Sequence, residues 1–265
     1  MTHLAREQHD HVLLLTLDQP AKKNAFSPQM VGELRDAIDA AAIDDAVRVV
    51  VITGAGDAFS AGGDLGRRSQ EIAEGATPTP FDRMNRLQQG THTLARAIDA
   101  FDKPLLAAVN GAAAGAGMDL ARMCDIRFAS SSARFCEAYI RVGLIPGNGG
   151  CHFLPRLIGT GRALELLWTG DWLGAADAER IGLVNRVWEP QQLLPETLAF
   201  AQRLAAGPPV QQRLIKRLVR QCERSDLRSS LEYTAAAMSV AQSTDDYKEA
   251  IAAYKERRPG RYRGR

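Results

Sequence analysis

The chain has 265 residues, of which 45% are apolar and 24% charged, and a formal net charge of +2. This is enough for one large domain, or for a domain with an appended subdomain, and the composition is that of an ordinary globular protein. The near-neutral charge, with basic residues dispersed except in the closing RRPGRYRGR, implies no nucleic-acid face and reads as a solvated tail. No run of about eighteen apolar residues marks a membrane span, and the polar start MTHLAREQHDH has no signal-peptide hydrophobic region, so a cytoplasmic protein is expected. The four cysteines, Cys124, Cys136, Cys151 and Cys222, form no C-x-x-C pair and read as reduced structural thiols. The five scattered histidines form no metal-ligand spacing, and only His152 lies near a glycine-rich region, as a ligand contact or a packing residue.

In chain order, residues 12–17 read as a strand, followed by a turn at Asp18-Gln19-Pro20 and the exposed pair Lys22 and Lys23. Ser27 and Pro28 start a helix that carries Met30, Leu34, Ile38 and Ala41 on one face. The β-branched run 47–53 is a strand covered on both faces, so the two strands and their crossover helix predict a parallel βα unit. A glycine-rich loop follows at 54–66, then a polar stretch at 66–80 that reads as a lid-like or solvated loop, then one longer helix from 81 to about 101.

The central stretch, 103–130, sets a buried strand (104–109) before the Gly/Ala-only segment 111–117 and the helix-compatible MDLARMC. Such a turn lets peptide N–H groups approach a ligand, and a helix start aims unpaired N–H groups and partial positive charge at it. An anion or developing oxyanion is the natural guest. A dinucleotide fingerprint fails because Leu120 stands where its third glycine belongs, and a P-loop fails because Met118 and Asp119 replace its Lys-Ser/Thr pair. Close helix-to-strand packing is the other reading of these glycines. Short strands at 125–129 and 133–136 lead to a third glycine-rich loop at 143–150 and the helix-like CHFLPRLIG. Helices at 161–168 and 175–181 and a strand at 183–188 complete the mixed part, and from about residue 193 the pattern is helical only.

Several ordered stretches carry a family resemblance: NAFS at 24–27, VVVITGAGDAFSAGGDL, KPLLAAVNGAAAGAGMDLARMCDIRFAS, the run from Phe135 through VGLIPGNGG, ADAERIGLVNRV and YKEAIAAYKERR. Over nearly its whole length the chain resembles the crotonase family, the enoyl-CoA hydratase/isomerase superfamily. The resemblance implies an α/β fold built as a spiral of ββα units over residues 1–192, which binds an acyl-CoA thioester. It also implies a C-terminal helical region, 193–265, that builds homotrimers, often paired into hexamers. No metal, flavin or nicotinamide is called for, since coenzyme A is part of the substrate.

By the same resemblance, the thioester carbonyl is held by the backbone N–H groups of Gly63 and Ala116. Coenzyme A contacts fall on Lys22, Lys23, Ala25, Ala61, Asp64 and Leu65, although an exposed lysine pair is also what a solvated surface looks like. Arg257 is a further phosphate contact from a neighbouring subunit. Hydratases of the family use two glutamates, and here the first maps to Asp119 and the second to Tyr139, whose phenol is a donor or acid rather than a base at neutral pH. Glu137, two residues earlier, shares Tyr139's face if the strand continues that far and then supplies the missing carboxylate; otherwise it is a solvated strand-end residue. Asn148 is placed to orient water or the acyl group. Three readings follow: a hydratase-like lyase, an isomerase with Asp119 as single base, and a CoA-ester binding subunit with little turnover. The acyl pocket is expected between the 66–80 segment and the helix after it.

Overall fold

The computed structural model describes residues 2–75 and 77–265. Its strands are β1 (Leu4–His9), β2 (Val12–Leu17), β3 (Val49–Gly54), β4 (Ala58–Ser60), β5 (Leu105–Val109), β6 (Ala112–Ala114), β7 (Ile126–Ser130), β8 (Arg134–Cys136), β9 (Leu173–Gly174) and β10 (Arg186–Trp188). Its helices are α1 (Pro28–Ile43), α2 (Leu65–Ala73), α3 (Pro80–Gln89), α4 (Thr91–Ala100), α5 (Ala116–Met123), α6 (Gly150–Ile158), α7 (Thr160–Thr169) and α8 (Ala175–Arg180). Four more close the chain: α9 (Pro190–Ala205), α10 (Pro209–Cys222), α11 (Leu227–Ser243) and α12 (Asp245–Glu256).

The larger sheet has the order β1-β2-β3-β5-β7-β10, and the smaller one β4-β6-β8-β9. Every neighbouring pair of the larger sheet is parallel except β1 with β2. Three times the chain leaves a long strand, forms a short strand of the second sheet and enters a helix: β3-β4-α2, β5-β6-α5 and β7-β8-α6. This is the spiral of ββα units that the family resemblance implied.

Strand periodicity explains why the long strands are apolar throughout. In β3, Val50 and Ile52 face Met30, Leu34 and Ile38 of α1, while Val49 and Val51 face Leu193, Ala201 and Ala205 of α9. Burying each such Leu or Ile side chain contributes about 1.5–3 kcal/mol. The chain after residue 193 therefore splits by packing: α9 seals one face of the sheet, whereas α10 and α11 contain no buried residue. Among the described residues no helix is long and apolar enough to cross a membrane.

Several local expectations change. Leu65–Ala73 of the polar 66–80 stretch is helical, α2, rather than a loop; Ala76 lies outside the described residues. The long helix expected from 81 to 101 is two, α3 and α4, broken at Gly90, where an added Cβ would sit 2.5 Å from the Arg86 carbonyl. Strand β1 has only Leu4 fully buried, so its polar sequence gave no alternation to read. The last strand is shorter than expected, Arg186–Trp188. The basic C-terminus keeps its arginine side chains exposed, as expected of a solvated tail, but its backbone is docked. Asp245 and Asp246 donate their N–H groups to the Arg265 carbonyl at 2.8 and 3.2 Å, and the buried Asp246 carboxylate accepts from the N–H groups of Arg263 and Gly264 at 2.7 and 2.8 Å. The four cysteines are unpaired, and burial pushes the Cys124 thiol up to about 12, so it stays protonated.

Candidate active site

Two glycine-rich turns meet backbone to backbone at the open ends of the spiral units. Gly62 has φ +84°, and a Cβ there would stand 2.4 Å from the Ala114 carbonyl oxygen and 2.9 Å from the Ala116 nitrogen. Only glycine satisfies both constraints. Gly117 is held equally closely, its absent Cβ lying 2.3 Å from the Ser60 carbonyl oxygen. Residues 62–63 are thereby pressed against the start of α5.

The resulting wall is built almost wholly of peptide groups. Gly63 forms an isolated parallel bridge with Phe26, whose N–H donates to Gly62 O at 2.6 Å. Ala116 opens α5, so its N–H has no acceptor one turn back within the helix. The Ser60 hydroxyl ties the turn down, donating to Asn24 O at 2.7 Å and accepting from Gly62 N–H at 3.1 Å. The residues 22–26 run alongside: Ala61 N–H donates to Lys23 O at 2.8 Å.

This arrangement brings Lys22, Lys23, Ala25, Ala61, Gly63, Asp64 and Leu65 onto one rim. Lys22 Nζ lies 3.4 Å from Asp64 Oδ2, and Lys23 Nζ reaches the exposed Asp57 carboxylate at 2.5 and 2.7 Å. Ala25 is buried, while Ala61 and Leu65 are exposed. Arg257 lies elsewhere, as the left-handed cap at the end of α12 (φ 54°). His152, on α6, stands edge-on to the Phe153 ring with centroids 4.9 Å apart.

Behind the rim, five side chains form a polar cluster. Asp119, Arg122 and Glu137 are 0%, 3% and 1% exposed. One helical turn along α5 from Asp119, the Arg122 guanidinium pairs with Asp119 Oδ1 through Nη2 and with Glu137 Oε1 through Nη1. The Tyr139 hydroxyl donates to Asp119 Oδ2, and Asn148 Nδ2 donates to the Tyr139 oxygen at 3.1 Å. The Tyr139 ring also lies 3.7 Å from where a Cβ on Gly115 would be, directly before Ala116. Burial and the nearby Glu137 carboxylate push the Tyr139 phenol well above its ordinary value, so it remains neutral. Burial likewise raises Glu137 against the opposing pull of Arg122.

The structure thus brings Asp119, Glu137 and Tyr139 together, though not by the expected route. Strand β8 ends at Cys136, and Tyr139 is helical (φ −58°, ψ −43°) as it enters a short turn, so no extended strand puts Glu137 and Tyr139 on one face. Nor is Glu137 a solvated strand-end residue. Arg122 is the member that sequence reading missed. Its signal was available: with Asp119 it is one of two charged residues, three apart, in an otherwise apolar MDLARMC.

The family model for enoyl-CoA hydratase/isomerase matches residues 7–265.

The chain belongs to the enoyl-CoA hydratase/isomerase family.

Among similar proteins, crotonyl-CoA hydratase of Syntrophomonas wolfei is 36% identical over 257 residues, covering 97% of this chain and 96% of the relative. The 1,2-epoxyphenylacetyl-CoA isomerase of Escherichia coli is 33% identical over 254 residues, covering 96% and 95%. The crystal structure of enoyl-CoA hydratase from Bacillus anthracis superposes with a TM-score of 0.93 at 30% identity, over all of both chains. Family membership makes this chain an enzyme of hydratase/isomerase type with the crotonase fold.

Proposed function

We propose that this enzyme adds water across the double bond of a 2-enoyl-CoA thioester, with the thioester oxygen held by the N–H groups of Gly63 and Ala116. The observation that carries this reading is Asp119, a fully buried carboxylate three residues past Ala116 that accepts the Tyr139 hydroxyl. Addition at the β carbon sends charge onto the thioester oxygen, and two fixed N–H donors favour that state over the ground state. One such donor is worth about 2.7–4 kcal/mol in comparable sites. The N-terminus of α5 adds its partial positive charge.

Asp119 takes a proton from the attacking water as the oxygen bonds to the β carbon. The neutral Tyr139 hydroxyl gives its proton to the α carbon and is reprotonated by Asp119. Protons balance, and both side chains return to their starting state. Lys22 and Lys23, with Ala25, Ala61, Asp64 and Leu65, line the coenzyme A side. The acyl chain runs toward α3 and the third glycine-rich loop, where Leu87 lies 3.6 Å from the Cβ position of Gly147 and His92 Nε2 is 2.7 Å from Gly147 O. The apolar residues exposed on α10 and α11, among them Ile215, Val219, Leu231 and Met238, support a homotrimer, alone or paired as a hexamer.

One observation favours a second reading, double-bond isomerisation. Asp119 lies on α5 three residues past Ala116, while Glu137 comes from beyond the end of β8, and a single base suffices to move a proton between two carbons. The two readings separate on incubation with crotonyl-CoA and a medium-chain 2-enoyl-CoA in ¹⁸O water. Incorporation of ¹⁸O that is lost in Asp119→Asn supports hydration. Migration of a β,γ double bond without ¹⁸O supports isomerisation, and tight CoA-ester binding with neither reaction overturns both.

A further inference from the structure

The cluster contains two buried carboxylates and one guanidinium, a net charge of −1 if both acids are ionised. Two interacting sites in such a setting titrate as a pair rather than singly. Arg122 is the shared element, because each terminal nitrogen meets a different acid. It is also fixed in place: a Cβ on Gly150 would lie 2.7 Å from Nη2, so the start of α6 packs against the guanidinium. Among the described residues Glu137 Oε2 and Arg122 Nε make no hydrogen bond, and Glu137 meets the cluster through Arg122.

We propose that Arg122 is a positioning residue divided between Asp119 and Glu137, so that the charge on Glu137 sets how firmly Asp119 holds a proton. The inference rests on the reading of Asp119 as the base. An ionised Glu137 draws on the guanidinium and adds a like charge, and both effects favour the protonated form of Asp119. A neutral Glu137 leaves Arg122 to Asp119, which favours the carboxylate. The groups around Asp119 are Arg122 on its own helix, Glu137 from the end of β8, Tyr139 from the turn beyond it and the uncharged Asn148 from the loop before α6. Tyr139 stays neutral in the range concerned, so Arg122 and Glu137 are the charges that act. A purely structural ion network would hold the fold together without coupling the two acids.

The test compares wild type, Glu137→Gln, Arg122→Gln and the double variant by two readouts: the acid limb of kcat with crotonyl-CoA, and the infrared carboxyl band titrated against pH without substrate. A charge at this range moves a carboxylate by roughly one to three pH units. Glu137→Gln is expected to move the acid limb to lower pH by about one unit, and Arg122→Gln to move it up by at least as much. The double variant, which leaves no uncompensated pair of carboxylates, returns toward wild type. If Arg122→Gln does not fold, the Glu137→Gln shift alone decides. An acid limb and carboxyl titration that stay in place in Glu137→Gln would overturn the proposal. Absence of turnover would sink the functional reading while the infrared titration still decides this one.

Discussion

The two halves of the site are held by different means. Around Gly62, Gly63, Ala116 and Gly117, peptide groups press against peptide groups, and what matters is the absence of side chains. Around Asp119, five polar side chains do the holding, three of them charged and buried. The first half has almost no freedom to vary, because a single methyl at Gly62 or Gly117 would enter a carbonyl oxygen. The second rests on side-chain contacts, with one guanidinium shared between two carboxylates. The resemblance puts an aspartate and a tyrosine, Asp119 and Tyr139, at the places of two glutamates. In the proposed reaction the backbone half holds the thioester oxygen, and the side-chain half moves the protons.

The sharpest way to separate the halves is to remove each in turn. Asp119→Asn should lower kcat by about 10²–10⁴, the usual share of a positioned acid or base, while CoA-ester binding changes little. Steady-state kinetics beside equilibrium binding check this; a large loss of binding would mean that Asp119 serves the fold instead. Gly62→Ala attacks the other half, forcing a side chain into positive φ and against Ala114 O and Ala116 N. We expect roughly 10²–10³ in kcat, the cost of misplacing one donor, with stability also reduced. Full activity in this variant would break the claim that the two turns form one donor site.

Tyr139→Phe probes the exchange of glutamate for phenol. The variant keeps the ring beside Gly115 but loses the proton donor, so about a 10²-fold loss in kcat is expected with folding intact. Since burial and Glu137 hold the phenol above its ordinary value of 10.0, the wild-type rate should show no alkaline limb from Tyr139 below that pH. Glu137 gives a stability signature. Its pKa in the folded protein lies above the ordinary 4.5, so its contribution is full below that pH and is lost as pH rises through the raised value. Urea denaturation across the acid range should show this slope flattened in Glu137→Gln. The smallest effect is expected at the rim, where Lys22→Ala and Lys23→Ala, both exposed, should raise KM for CoA esters by roughly two- to fivefold and do so less at high salt.

The same contrast explains what the sequence could be made to reveal. The buried parallel strands and the backbone-lined turns were legible because β3 and β5 are apolar on both faces and because glycines cluster where backbones touch, both properties of short, contiguous stretches; the spiral itself came from the family resemblance. Asp119 was picked out by the family resemblance, and it lies just inside the helix that starts from the Gly/Ala turn. Arg122 was not singled out, since an arginine on a helix is usually at the surface and its two partners come from different elements, only one of them on its own helix. Glu137 could not be placed because its position depends on β8 stopping at Cys136, one residue before it. The strand β6, Ala-Ala-Ala, has no side-chain pattern at all and is defined by its neighbours β4 and β8. Helix α2 and the docked backbone of the C-terminal tail were missed for a related reason, as largely polar sequences, and the tail is held by hydrogen bonds to Asp245 and Asp246 that no local pattern marks.

The central claim is that a thioester enolate forms between the backbone donors and Asp119, whichever reaction follows. The most direct test is exchange of solvent deuterium into the α carbon of butyryl-CoA in ²H₂O, followed by mass spectrometry for wild type and Asp119→Asn, with binding of the thioester measured in parallel. The account predicts exchange in the wild type and its loss in Asp119→Asn while binding persists. Exchange that survives the substitution, or none in a wild type that binds the thioester, would contradict it.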